Sequence, residues 1–196
     1  MKKTTGVIVW TVLALFISGL HAQTGVYPSY EDFKNGKLMK SEDGNLDVKL
    51  MAHKVISKEA GQKKEYECAN IYGMLIKGKL YRFPVGSAAA LSCELVTYGN
   101  FCIWFFSDSY MQGAVTRQEV LCYVSKGLDG YMYDVNNNNR LEKIATEHKE
   151  FQPLLDCVKK GKKLTLMHPL VTAIGECIVA DPSYHKNTAD AIPAIK

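Results

Sequence analysis

The 196-residue chain has one long apolar run and no second. Val7–Leu20 (VIVWTVLALFISGL) lies behind Lys2 and Lys3, and nothing after it is long and apolar enough to cross a membrane as a helix. Neither sign of charge prevails. The 24 Lys and Arg against 20 Asp and Glu leave +4, with the basic residues spread along the chain, so nucleic acid is not an expected partner. The short signatures of nucleotide binding, serine hydrolysis and zinc proteolysis are missing: GxGxxG, a Walker-type loop, GxSxG and HExxH. No pair of cysteines has CxxC spacing, which removes the simplest redox and zinc motifs. Internal repeats and Ser/Gly/Pro-rich linkers are also missing, which argues for a single domain. What remains is ordinary globular composition, 47% hydrophobic and 22% charged, long enough to bury a real core.

Met1–Ala22 reads as a secretory signal peptide. Two lysines precede the apolar core, and Leu20-His21-Ala22 ends on a small residue suited to cleavage before Gln23. Its removal takes Lys2 and Lys3 away and lowers the net charge from +4 to +2. No cysteine stands at the cleavage point, so a lipid anchor is not expected. The mature chain, 23–196, is therefore expected to be secreted or periplasmic, in the cell envelope, with no transmembrane segment. All six cysteines survive cleavage: Cys68, Cys93, Cys102, Cys122, Cys157 and Cys177. An even number in an exported chain makes each a disulfide candidate, with the pairing open, although buried thiols acting as small hydrophobes are the other reading. Cys93 and Cys102 bracket a turn; a two-residue loop there would set them diagonally, farther apart than a disulfide normally spans.

Along the mature chain, residues 25–36 (GVYPSYEDFKNG) predict a short entry helix with Ser29 as cap and Gly36 as stop. Leu46–His53 alternates as a strand and Ser57–Glu65 reads as a loop. Three hairpins follow: Tyr66–Ile76 with Lys79–Phe83 around Lys77-Gly78, Ala90–Thr97 with Phe101–Ser107 around Tyr98-Gly99-Asn100, and Val120–Ser125 with Tyr131–Val135 around Lys126–Gly130. After residue 136 the period changes. Leu141, Ile144, His148, Phe151, Leu155 and Val158 form one helical stripe that Pro153 must kink or split. Lys159–Lys163 complements a helix C-terminus, and Pro169 opens a last helix to about Val179. The tail from about residue 181 reads as loose. The fold class is α+β: an antiparallel sheet of hairpins covered by C-terminal helices.

Chemistry is harder to place. Asp134, Asn136 and Asn138 put oxygens at alternate positions, like the front of a calcium loop, but Ala145 stands where the bidentate glutamate belongs. A strand-to-helix turn capped by Asn is the plainer reading. A Cys/His nucleophilic pair would draw on His53, His148, His168 or His185 and one cysteine. Ser87 lies in a small-residue turn without a partner motif, and Glu94, Asp108, Glu119 and Asp129 are too scattered for a glycosidase pair. The aromatic-rich strands read as cross-strand core pairs, or as a surface for stacking sugars, with Tyr98 as an exposed example. No catalytic residue and no cofactor follow from these patterns.

Several pieces together resemble a set of small secreted proteins of unknown function from Bacteroidetes-type bacteria. They are GVYPSYEDFKNGK after the leader, IYGMLIKGKLYRF (71–83), WFFSD (104–108), YVSKGLDGYMYDV (123–135) and FQPLLDCVKKG (151–161). The resemblance covers residues 25–161 and implies an exported, envelope-associated protein with no catalytic residues to carry over; the six cysteines depart from it. The expected function is a non-enzymatic interaction or accessory protein of the cell envelope, its partner an envelope protein or glycan. The alternatives are a glycan- or calcium-binding module and a hydrolase without a recognisable motif.

Overall fold

The structure, a computed structural model, describes residues 23–86, 90–112, 115–135, 138–160, 169–185 and 188–194. The leader, Ser87, Asn136 and His168 lie outside these, as do the side chains of Asp108, Glu119 and Asn138.

Strand β1 (Gly25–Tyr27) runs into helix α1 (Tyr30–Lys34), and β2 (Met39–Lys40) returns beside β1. The entry helix is shorter than residues 25–36 suggest, because Gly25–Tyr27 is a wholly buried strand. Ser29 caps α1 by accepting from Asp32 N–H at 3.0 Å, and Gly36 at φ 65° stops it. A separate three-stranded sheet follows, ordered β3 (Asp47–Lys49), β4 (Lys54–Glu59), β5 (Gln62–Glu67). The expected strand Leu46–His53 is cut to Asp47–Lys49 by a turn over Leu50–His53, and the expected loop Ser57–Glu65 is filled by the end of β4 and most of β5. The residues of β5 are almost all exposed and polar, so no alternation marks it. It is held instead by the tight Ala60-Gly61 turn, both at positive φ, and by cross-strand pairs such as Lys54–Glu65 at 2.8 Å.

The large sheet takes β6 (Gly73–Ile76), β7 (Lys79–Arg82), β8 (Cys93–Thr97), β9 (Phe101–Gln112), β10 (Val115–Lys126) and β11 (Tyr133–Asp134). Its order is β11-β10-β9-β8-β7-β6-β1-β2, antiparallel at every pairing. The three expected hairpin turns are present, but the first arm is shorter than Tyr66–Ile76: Tyr66 belongs to β5 of the other sheet, Cys68–Asn70 is a 3-10 turn, and β6 starts only at Gly73, while β9 and β10 extend well past their predicted ends. Gly73 lets β7 come close: a Cβ there would strike the Tyr81 carbonyl.

Helices α2 (Asn138–Glu147), α3 (Gln152–Lys160) and α4 (Pro169–Val179) complete the α+β fold. The stripe splits at His148, which caps a short 3-10 turn over Lys149–Phe151, while Pro153 sits in the first turn of α3 where its missing N–H costs nothing. Cross-strand register makes the sheet's two faces explicit. Val26, Met74, Tyr81, Glu94, Phe105 and Cys122 form one row on one face, where α2–α4 and Phe151 pack over Ile103 and Val124 while Val55, Cys68 and Ala90 pack against Val26 and Met74. The opposite face carries Arg82, Cys93, Leu95, Trp104 and Tyr123, covered by α1 and by Ala191.

Residues read as a loose tail are tied down instead. His185 N–H donates to the Tyr98 carbonyl at 3.0 Å, Ser183 bonds Asp181 and Asn100, and Ala191 is buried. The tail's few apolar groups cover the open aromatic face of the sheet, a contact that no local pattern announces.

Candidate functional site

Only one pair of the six cysteine candidates is bonded: Cys157–Cys177 joins α3 to α4. Cys68, Cys93, Cys102 and Cys122 are buried as thiols. The β8–β9 register explains why Cys93 and Cys102 do not meet. Glu94 opposes Phe105 and Thr97 opposes Ile103, so the two sulfurs are roughly four rungs apart, about 13 Å along the strands. Burial pushes Cys68 and Cys102 up to about 11 and Cys93 and Cys122 up to about 12, far from reactive thiolates.

The calcium candidates are only partly placed. Asp134 forms an ion pair with Arg140, while Asn136 and the Asn138 side chain lie outside the described residues. Ala145, at the twelfth position, is packed into the core. Among the described residues, no group of three or more His, Cys, Asp or Glu could hold a metal ion. Glu94 is engaged by Lys79 at 2.8 Å and by the Tyr81 hydroxyl at 3.0 Å, and Asp129 is exposed on the β10–β11 loop. Tyr98 is half-buried and stacked on His185 at 4.5 Å, so it is not an open platform for a sugar. His148 accepts from or donates to the Tyr133 hydroxyl at 2.9 Å.

His53 and Cys68 do come together, with Tyr72 and Arg82. These four line a cavity of about 250 Å³, completed by Ile71, Phe83–Gly86 and Ala90. It lies where the chain leaves the three-stranded sheet and enters the large one. Local geometry builds it: His53 is in a turn at φ 52°, Cys68 N–H donates to the His53 carbonyl at 2.8 Å, and Tyr72 N–H donates to the Tyr27 carbonyl at 3.0 Å.

Arg82 dominates the cavity electrically. Its Nη1 donates to the carbonyls of Leu128 at 2.6 Å and Gly130 at 3.0 Å, and its Cζ lies 4.9 Å from the Tyr72 ring and 5.4 Å from that of Trp104. Its Nε is buried without an acceptor, and no carboxylate among the described residues forms a salt bridge with it. Desolvation pushes its affinity for the proton down, and the hydroxyl of Tyr72, itself bonded to Leu128 O at 3.0 Å, is pushed up by burial. A second cavity of about 310 Å³ beside α2 differs sharply, since its charges are paired as Asp134–Arg140 and Lys143–Glu147.

Nothing in the sequence singles out Arg82. One arginine in an alternating strand carries no signal, and its importance comes from a loop 46 positions away. No family model matches the chain, and neither a curated protein nor a solved structure matches it. Among the described residues, no helix is long and apolar enough to cross a membrane.

Proposed function

We propose that this chain is an exported, non-enzymatic interaction or accessory protein of the cell envelope, with the Arg82 cleft as its binding site. The disulfide between α3 and α4 supports an oxidising compartment, where such bonds persist. The observation that carries the reading is how the cleft's polar groups are occupied. Tyr72 Oη and Arg82 Nη1 hold backbone carbonyls, and the Cys68 thiol is raised to about 11. A nucleophile needs a depressed pKa or a base within hydrogen-bond reach, and Cys68 has no such activation here. A preformed cavity with a fixed cation suits binding better than turnover.

The rival is a hydrolase, favoured only by His53 and Cys68 sharing one cavity. A photo-crosslinking side chain at Val85, at the cleft mouth and 67% exposed, separates the two in intact cells. The expected result is one envelope protein captured from Val85 and not from Glu142 on exposed α2. Capture of nothing but the chain itself removes the accessory reading. Rapid labelling of Cys68 in the folded protein by a thiol-directed probe at neutral pH transfers support to the hydrolase.

A further inference from the structure

We infer that the outer edge of β10 pairs with the same edge of a second copy of this chain, antiparallel and centred on Gln118. This surface is separate from the Arg82 cleft.

Unequal strand lengths leave the edge open. β9 and β10 pair without a break from Phe101–Lys126 to Gln112–Val115. Their neighbours stop well short of that. β8 is in register with Ile103, Trp104 and Phe105 of β9, and β11 with Tyr123 and Val124 of β10. Among the described residues, no strand pairs with the outer side of β10 from Val115 to Leu121. A two-stranded ribbon is marginal in water, and its open edge is a template for another strand.

The backbone then fixes where a second copy can sit. Val135 N–H donates to the Cys122 carbonyl at 3.0 Å, so the polar backbone groups of Cys122 face outward. These groups alternate with a period of two along an antiparallel strand, and no bulge interrupts the β9–β10 register. Val120, Gln118 and Thr116 therefore also turn N–H and C=O to the open side. Gln118 is the midpoint of the open stretch. A two-fold axis there sets Gln118 opposite its own copy as a hydrogen-bonded rung, and Val115 opposite Leu121 at each end. The new pairing stops just before Cys122, where β11 begins.

Charge selects the same axis. It sets Arg117 of each copy opposite Glu119 of the other, in non-hydrogen-bonded rungs where facing residues come closest. Opposite charges in such rungs stabilise a pair. Within one chain Glu119 stands opposite Asp108, acid against acid, and Arg117 of the second copy brings the positive charge that this rung lacks. The neighbouring axes fail. One at Thr116 sets Arg117 opposite Val115 and carries Glu119 past the start of the strand, while one at Val120 runs into β11. Other edges offer no such match: Asp108–Gln112 of β9 holds a single charge, and Lys64 and Glu65 of β5 already pair with Glu59 at 3.5 Å and Lys54 at 2.8 Å.

The test is sedimentation velocity of the folded, disulfide-bonded chain from Gln23 onward across a wide concentration range, joined to cysteine trapping. A monomer–dimer equilibrium is expected. Arg117→Glu and Glu119→Arg should each weaken it by about tenfold, since the axis doubles every like-charge contact, and the two together should restore it. Under mild oxidation, Gln118→Cys should be trapped as a dimer faster than Arg117→Cys. Facing Cα atoms of a hydrogen-bonded rung lie about 5.5 Å apart, within disulfide reach, whereas position 117 faces position 119. Trp104 fluorescence checks that each variant folds; where a charge variant does not, the trapping pair decides. A chain that stays monomeric, as an edge reserved for another protein's strand would leave it, overturns the inference. So does a double variant as weak as the singles, or equal trapping at 117 and 118. Such failure leaves partner capture through Val85 untouched.

Discussion

Arg82 Nη1 donates to the carbonyl oxygen of Leu128 at 2.6 Å, joining strand β7 to a loop 46 positions further along the chain. Tyr72 Oη donates to the same oxygen at 3.0 Å. One carbonyl thus ties two walls of the cleft to the β10–β11 loop, and the wall of the candidate site is also a fold contact.

Arg82→Leu is therefore expected to destabilise the chain by about 2–4 kcal/mol, since it leaves the carbonyls of Leu128 and Gly130 without their charged donor. Tyr72→Phe removes one bond and keeps the ring, at about 1 kcal/mol. Urea denaturation of the two variants checks the order, and a larger loss for Tyr72→Phe contradicts the assignment of the guanidinium as the main tie.

The indole of Trp104 is wholly buried, and its Nε1 donates to Ser125 Oγ at 2.9 Å, which donates onward to Gly127 O at 2.7 Å. Ser125→Ala breaks both bonds in a closed environment and should cost about 1–3 kcal/mol. Trp10 and Trp104 are the two tryptophans of the sequence, so in a protein expressed from Gln23 onward the fluorescence of Trp104 alone follows unfolding.

The Cys157–Cys177 bond closes a loop of 20 positions, for which chain entropy gives about 3 kcal/mol. Reductant should lower the melting temperature of the native chain and leave a Cys157→Ala/Cys177→Ala double variant unmoved. Equal melting with and without reductant would show that helix packing alone holds α3 to α4.

Alkaline pH should unfold this protein earlier than its carboxylates and amines would suggest. The thiols of Cys68, Cys93, Cys102 and Cys122 sit at about 11 to 12 when folded, against about 8.5 in an unfolded chain. Above that lower value the unfolded state loses protons that the folded state retains, so stability present at neutral pH falls as pH rises from about 8.5 towards 11. Denaturation midpoints from pH 7 to 10.5 check the sign. Replacing Cys93 by Ala should flatten the decline.

Intact mass after alkylation tests export and thiol state together. A chain starting at Gln23, with four cysteines alkylated after denaturation and all six after reduction, is the expected result. A mass that retains residues 1–22 would move the protein to the membrane surface.

Much of this architecture can be read from neighbouring residues. The hairpins at Lys77-Gly78, Tyr98–Asn100 and Lys126–Gly130 announce themselves because turn residues interrupt apolar strands, and the helical stripe from Leu141 to Val158 is a periodicity of one buried face. β1 and β5 are not legible for opposite reasons. β1 is three buried residues next to a helix cap, and β5 is a charged edge strand whose partners, not its pattern, define it.

By itself, then, the sequence determined the α+β class, the order of hairpins before helices and the division of the helical stripe near Pro153, since each depends on contacts within a few residues. Only the tertiary structure decided which cysteines bond, that residues 181–185 and 188–194 dock on the sheet, and that Arg82 joins His53, Cys68 and Tyr72 around one cavity. Those outcomes depend on strand register and on loops returning from tens of positions away, and a side chain's distant neighbours leave no mark on the residues beside it.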